Sequence, residues 1–185
     1  MNLCESELIE IVRAFRSSNT NIVKLWNTVE KAFIEAVNNK SIVHIDKNIS
    51  FIYEGNILFI KLPSGRRLSY IRPKIDYNNA FNKSVISYEG VDSTTKKNTR
   101  LTTYGGKLVE NIVQAIARDV LGEAMMNLRN KGFNIVMHVH DEIVLEVENG
   151  VSSVEKVVEI MCKENRYLKG LKLRADGFES NYYKK

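Results

Sequence analysis

The chain has 185 residues, 44% hydrophobic and 26% charged, enough for one domain or one large subdomain. Its 27 Lys+Arg against 22 Asp+Glu give a net charge of +5, compatible with nucleic acid but too weak to establish it. No apolar run reaches the length of a membrane span, and Glu5, Glu7 and Glu10 stand where a signal peptide would be basic. Cys4 and Cys162 form neither a metal-ligand spacing nor a disulfide framework. A cytoplasmic protein in a reducing compartment is the expectation.

Residues 5–17 set Leu8, Ile11, Val12 and Phe15 on one stripe, which predicts an amphipathic helix. The polar break Ser17-Ser18-Asn19-Thr20-Asn21 supplies N-cap candidates for a second helix over 21–37. That helix aligns Ile22, Leu25, Trp26, Val29, Ala32, Phe33 and Ala36, with Trp26 expected to pack between the two helices. From Lys40 to Tyr88 the period falls to two, in short runs over 41–45, 49–53, 57–62, 68–72 and 84–88. Glu54-Gly55-Asn56 and Pro63-Ser64-Gly65 read as turns, so a small antiparallel meander is expected. Its flank Gly65-Arg66-Arg67 could touch phosphate, although arginines beside a turn are more often merely solvated. Residues 90–103 read as an exposed loop.

A long helix is predicted from Gly105 to Lys131. Leu108, Ile112, Ile116, Val120, Ala124 and Leu128 recur every four residues, with Val109, Val113, Ala117, Leu121 and Met125 beside them. Glu110, Gln114 and Arg118 share another face, which by itself could be a solvated ladder with an i,i+4 ion pair. Gly132 is expected to stop the helix. A last helix over 152–164 opens on Ser152-Ser153-Val154-Glu155 and is expected to bury Val154, Val157, Val158 and Met161.

The most informative stretch is Phe133–Val147. Ile135, Met137 and Val139 alternate with Val136, His138 and His140; after His140-Asp141-Glu142, Ile143, Leu145 and Val147 alternate again. This predicts a β-hairpin. Its tip lacks the Gly or Asn that makes a tight turn inexpensive and instead sets two carboxylates side by side. A local rule broken at one spot points to a site. Adjacent hard oxygen ligands suit Mg²⁺, which takes one or two protein carboxylates and leaves room for substrate phosphates. Against this stands the common solvated Asp-Glu turn that does nothing.

Gln114-Ala-Ile-Ala-Arg-Asp119 on a long helix, followed by a strand ending His140-Asp141-Glu142, resembles the C-terminal palm of family A DNA polymerases. Tyr104-Gly-Gly-Lys-Leu-Val-Glu-Asn-Ile-Val-Gln114, Leu62-Pro-Ser-Gly-Arg66, Gly170-Leu-Lys-Leu and Asp176-Gly177 are similar to phage-type members, so the resemblance covers almost the whole chain. It implies an α+β fold: a palm-type antiparallel sheet with the His-Asp-Glu hairpin packed on long helices, plus the meander. The chain then reads as a single partial domain over 1–185. Its parts are a helical pair (1–39), a meander with loop (40–103) and a palm core (104–185).

The resemblance also implies roles. Asp141 corresponds to a catalytic aspartate binding two Mg²⁺ ions, with Glu142 as a supporting metal carboxylate. His140 matches the histidine at the primer end. Gln114 matches the glutamine that reads minor-groove acceptors shared by all correct pairs. Arg66, Lys107 and Arg118 are the remaining DNA-binding candidates. Where the DNA polymerase I pattern has asparagine, four residues before the glutamine, this chain has Glu110; Asn111 is one residue out of register.

Two family motifs are absent: the first catalytic Asp-(Tyr/Phe)-Ser-x-x-Glu and the fingers Arg-x-x-x-Lys. Asp76-Tyr77-Asn78-Asn79 is a superficial echo of the first, and Lys96 with Asp92 does not reproduce the second. The Met1 start, just before the first helix, suggests a split polymerase or a truncated remnant, bacterial or phage-encoded. The expected activity is therefore that of a DNA-directed DNA polymerase fragment or subunit, acting on primer-template DNA and dNTP only with a second polypeptide. Apolar palm surface would be covered by that partner or by self-association. A silent DNA- or partner-binding palm remnant is the alternative. A zinc hydrolase using His138-x-His140 and Asp141 is a third class, because alternation would put both histidines on one strand face.

Overall fold

The computed structural model describes residues 4–78 and 83–184; Met1, Asn79 (the end of the Asp76 echo) and Lys185 lie outside them. The fold is α+β, with a six-stranded antiparallel sheet, a separate two-stranded sheet and four helices among the described residues. Two compact units divide the chain, Met1–Val113 and Gln114–Lys185.

In the first unit, α1 (Glu5–Ser18) and α2 (Thr20–Asn39) are separated by Asn19 alone. The strands follow in meander order: β1 (Ile42–His44), β2 (Ser50–Glu54), β3 (Ile57–Lys61), β4 (Arg67–Asn78), β5 (Lys83–Val91) and β6 (Asn98–Thr103). Each turn follows from its residues. Glu54 pairs with Ile57, leaving Gly55 and Asn56 at φ 56 and 64, the backbone of a type I′ hairpin. Gly65, at φ 88, closes the next turn by donating to the Leu62 carbonyl at 2.9 Å. Arg72-Pro73 falls where the β4–β5 register shifts, and a bulge tolerates a residue with no backbone donor.

Strand β6 overturns the loop expected over 90–103. Strand β5 runs on to Val91, and the connection is only 92–97, tied by the Asp92 carboxylate accepting from the backbone N–H groups of Thr94 and Thr95. Those bonds hold the Asp92 carboxyl below its ordinary pKa, the Thr95 backbone bond being the largest cause. The sequence hides the strand because it is an edge: only Thr103 is buried, so no apolar alternation marks it.

One face of the sheet carries Phe51, Leu58, Ile60, Tyr70 and Ile86, all buried, and α2 lies across it with Val29, Ala32, Phe33 and Ala36. Phe33 meets Phe51 and Tyr70 edge-on, at 6.3 and 5.3 Å between ring centroids. Asn111 donates to the Tyr70 hydroxyl at 3.0 Å, which gives that out-of-register asparagine a packing role. Trp26 stacks on Phe15 at 6.3 Å, as its place between the helices predicts.

Helix α3 (Gly105–Asn130) begins in the first unit and ends in the second. Leu108, Val109, Ile112, Ala115, Leu121, Ala124 and Leu128 are buried, whereas Val113 and Ala117 are exposed. A line stepping every four residues drifts about 40° per step around a 3.6-residue helix, so the buried stripe restores itself with steps of three. The helix ends in a Schellman motif: Gly132 at φ 86 donates to the Arg129 carbonyl and Phe133 to that of Leu128. Hairpin β7 (Asn134–Val139) and β8 (Glu142–Glu146) follows, then α4 (Val154–Met161). Helix α4 is capped by the Ser153 hydroxyl accepting from Lys156 N–H; it buries Ile160, which the periodicity did not single out, and leaves the expected Val154, Val157, Val158 and Met161 only half-buried.

Candidate metal and nucleic-acid site

Backbone pairing in the hairpin runs from Asn134–Glu146 to Val139–Glu142, so His140 and Asp141 alone form the connection. A two-residue connection needs positive φ. Here His140 supplies it, at φ 52. A residue with a Cβ in that region costs about 1–2 kcal/mol, and strain of this kind clusters at functional sites.

The strict alternation expected along β7 fails at a bulge. Ile135 pairs with Leu145 and Met137 with Val144, leaving Val136 as the extra residue. Beyond it His138, opposite Ile143, takes the face of Ile135, while Met137 and Val139 turn to the other. The expected His138-x-His140 pair on one strand face is thereby overturned: pairing stops at Val139 and His140 belongs to the turn.

His138 is instead engaged by Arg118, whose Nη1 and Nη2 lie 3.4 and 3.3 Å from Nδ1 and Nε2. A guanidinium only donates and a neutral imidazole has one acceptor nitrogen, so one contact is a hydrogen bond and the other is close packing. This ties the exposed face of α3 to the hairpin. Gln114 lies one turn before Arg118 on that face and is also exposed.

Asp141 is exposed at the tip. Glu142, half-buried, accepts a hydrogen bond through Oε2 from the Tyr183 hydroxyl at 3.4 Å. Thus His140, Asp141, Glu142, Arg118 and Gln114 all belong to the unit Gln114–Lys185. Arg66 and Lys107 fall in the other unit, both exposed, with Lys107 held by Glu110 at 3.0 Å rather than extended into solvent alone. Glu110 thus spends its charge on Lys107, not on the i,i+4 ladder.

The donor set fits one side of an Mg²⁺ site. Asp141 offers hard oxygens at an exposed position and the neighbouring Glu142, half-buried beside Tyr183, a second carboxylate. A Mg²⁺ ion commonly takes one or two carboxylates with water and phosphate completing it. No group of three His, Cys, Asp or Glu is poised around a common point among the described residues. No described helix is long and apolar enough to cross a membrane.

One polar cluster escaped the sequence. Asn165, almost fully buried, donates to Glu123 Oε2 and accepts from the Tyr167 and Leu168 N–H groups at 2.9 and 3.1 Å. Arg166 adds an ion pair to Glu123 at 3.3 Å. The helix expected over 152–164 ends at Met161, and nothing in the pattern Lys163-Glu164-Asn165-Arg166 marks a buried amide.

Over all 185 residues the chain is 50% identical to a DNA polymerase of Bacillus phage SP02, and it spans 28% of that protein's length. No protein-family profile matches the chain, and no solved structure matches it. The chain is similar, from end to end, to a segment of a phage DNA polymerase.

Proposed function

We propose that this chain is the C-terminal palm segment of a phage-type family A DNA polymerase, contributing Asp141 and Glu142 to two-metal nucleotidyl transfer. The observation that carries the reading is the 50% identity to a phage DNA polymerase over an alignment that takes in the whole hairpin. The strained, exposed turn at His140-Asp141 supports it.

In this reading Asp141 is the principal ligand of the metal pair and Glu142, steadied by Tyr183, supports it. Bound Mg²⁺ supplies Lewis-acid activation of a primer hydroxyl and neutralises charge on the transferred phosphate. His140 contacts the primer end. Gln114 reads the minor groove by shape, because a side-chain amide can donate to acceptors common to every correct pair. Arg118, aligned by His138, and Arg66 and Lys107 take phosphate contacts. The second catalytic aspartate and the nucleotide-binding lysine come from polymerase residues outside this segment, so the isolated chain is inactive.

The test is a full-length SP02 polymerase in which the matching segment is replaced by these 185 residues, assayed by primer extension in Mg²⁺. The graft extends primers, the isolated chain does not, and Asp141→Ala in the graft abolishes extension. Extension by the isolated chain would mean a missed carboxylate. A graft that folds and binds primer-template but never extends it would mark the segment as a silent palm remnant.

A further inference from the structure

We infer that the apolar face made by α1 and the start of α2 is the seat of the rest of the polymerase, an inference that rests on the function proposed above. Leu8, Ile11, Val12 and Phe15 follow the i, i+3, i+4, i+7 spacing of a single helix face, and Ile9 flanks them. All are exposed, as are Ile22 and Leu25 on α2, with exposures from 40% for Leu25 to 52% for Ile11. The Phe15–Trp26 stack joins the two helices' apolar residues into one patch.

The pattern within α2 shows what kind of surface this is. Ile22, Leu25, Trp26, Val29, Phe33 and Ala36 form one stripe along the helix. Its later members, Val29, Phe33 and Ala36, are buried against the sheet, and its first members are not. A stripe of uniform chemistry that is core at one end and bare at the other is a core that continues into something else. Scattered apolar residues need no explanation, but a contiguous patch of this composition marks an interface.

The occupant is identified by what the relative carries beyond this segment. At 50% identity the matched part is 28% of the SP02 polymerase, so most of a homologous fold lies outside it and must pack somewhere on it. The polar flank of α1, with Glu7, Glu10, Arg13 and Arg16, carries both signs of charge and suits a mixed rim around an apolar centre. The seat is the same whether that remainder is joined to this segment or is a separate chain.

Hydrogen exchange of residues 5–18 compares the isolated chain with the SP02 graft described above. Coverage of the face slows exchange of these amides about tenfold or more in the graft; equal exchange overturns the inference. Leu8→Gln with Ile11→Gln is the variant pair. It leaves the isolated chain's helix content and melting close to the parent's, because both side chains are exposed there, neither belongs to the Phe15–Trp26 stack and glutamine keeps the helix propensity. It reduces extension by the graft at least about tenfold. If the pair is silent in the graft but converts a dimeric isolated chain to a monomer, the face belongs to a second copy and the inference falls. Asp141→Ala separates the two proposals: it preserves the slow exchange of α1 even where extension is lost. Slow exchange in a graft that never extends primers would leave this seat standing and remove only the catalytic reading.

Discussion

The Glu30 carboxylate caps a helix that starts 75 residues later: its Oε2 accepts from the Gly105 N–H, the first amide of α3, at 2.7 Å. The approach is possible only because residue 105 is glycine. A Cβ there would stand 2.2 Å from the Trp26 carbonyl oxygen and 2.8 Å from its carbon, both backbone atoms. Neither side can yield by a rotamer change. Gly105→Ala is expected to destabilise the chain by about 3 kcal/mol or more, read as a fall in denaturant midpoint. Glu30→Gln keeps an acceptor but loses the charge facing the helix N-terminus, and about 1 kcal/mol is expected. An unchanged midpoint for the alanine variant would mean α2 and α3 are not in that contact.

Asn165 gives the second prediction. Its buried amide satisfies Glu123 on one side and two backbone amides on the other. Asn165→Ala removes three hydrogen bonds from part-buried groups, at about 1–3 kcal/mol. Arg166→Ala removes only the more exposed partner of the same carboxylate and is expected to cost about 0–1 kcal/mol. Chemical denaturation of the two variants side by side decides it, and equal effects would refute the account.

The contrast between these clusters and the hairpin explains what could be read in the chain. Helices α1 to α3 and strands β1 to β3 were legible because apolar periodicity and turn chemistry agree there, as at Gly55-Asn56. Strands β4 and β5 run on to Asn78 and Val91, past the runs at 68–72 and 84–88 that the alternation marked, and α4 is shorter than the helix read over 152–164. Strand β6 was not legible, since a polar edge strand lacks the alternation that marks a buried one. The Val136 bulge was also invisible: a single inserted residue leaves the sequence pattern intact while reversing which side chains share a face. His138 therefore looked like a partner for His140 and is instead a partner for Arg118. The His140-Asp141 connection was legible as a tight turn without Gly or Asn, and the structure places the positive φ that such a turn needs at His140. The Glu30–Gly105 and Glu123–Asn165 contacts span long sequence separations, and no local pattern encodes them.

Tyr70 supplies a pH dependence. Burial lifts its phenol above the ordinary 10.0, outweighing the hydrogen bond from Asn111 that favours the ionised form. Above pH about 10 the unfolded chain releases this proton while the folded chain retains it, so folded-state stability falls as pH rises. Below that pH the group adds no slope. Tyr70→Phe is expected to flatten the alkaline limb of a stability–pH curve above about pH 10, while losing the Asn111 bond at about 1 kcal/mol across the neutral range. Parallel alkaline limbs for the two proteins would show that another group sets the slope.

His140 tests whether the strain at the hairpin tip is functional. Glycine at this position relieves the left-handed backbone, about 1–2 kcal/mol, and returns about 0.5–1 kcal/mol through the greater freedom of the unfolded chain. The net expectation for His140→Gly is a hairpin as stable as the parent or up to about 1.5 kcal/mol more so. If the imidazole is kept in a strained turn because it contacts a primer end, the same substitution lowers extension by the SP02 graft about tenfold or more. Stability and activity then move in opposite directions. Thermal melting of the isolated chain and primer extension by the graft measure the two effects separately. A variant that is destabilised, or one that extends primers as well as the parent, would show that the histidine is there for the fold alone.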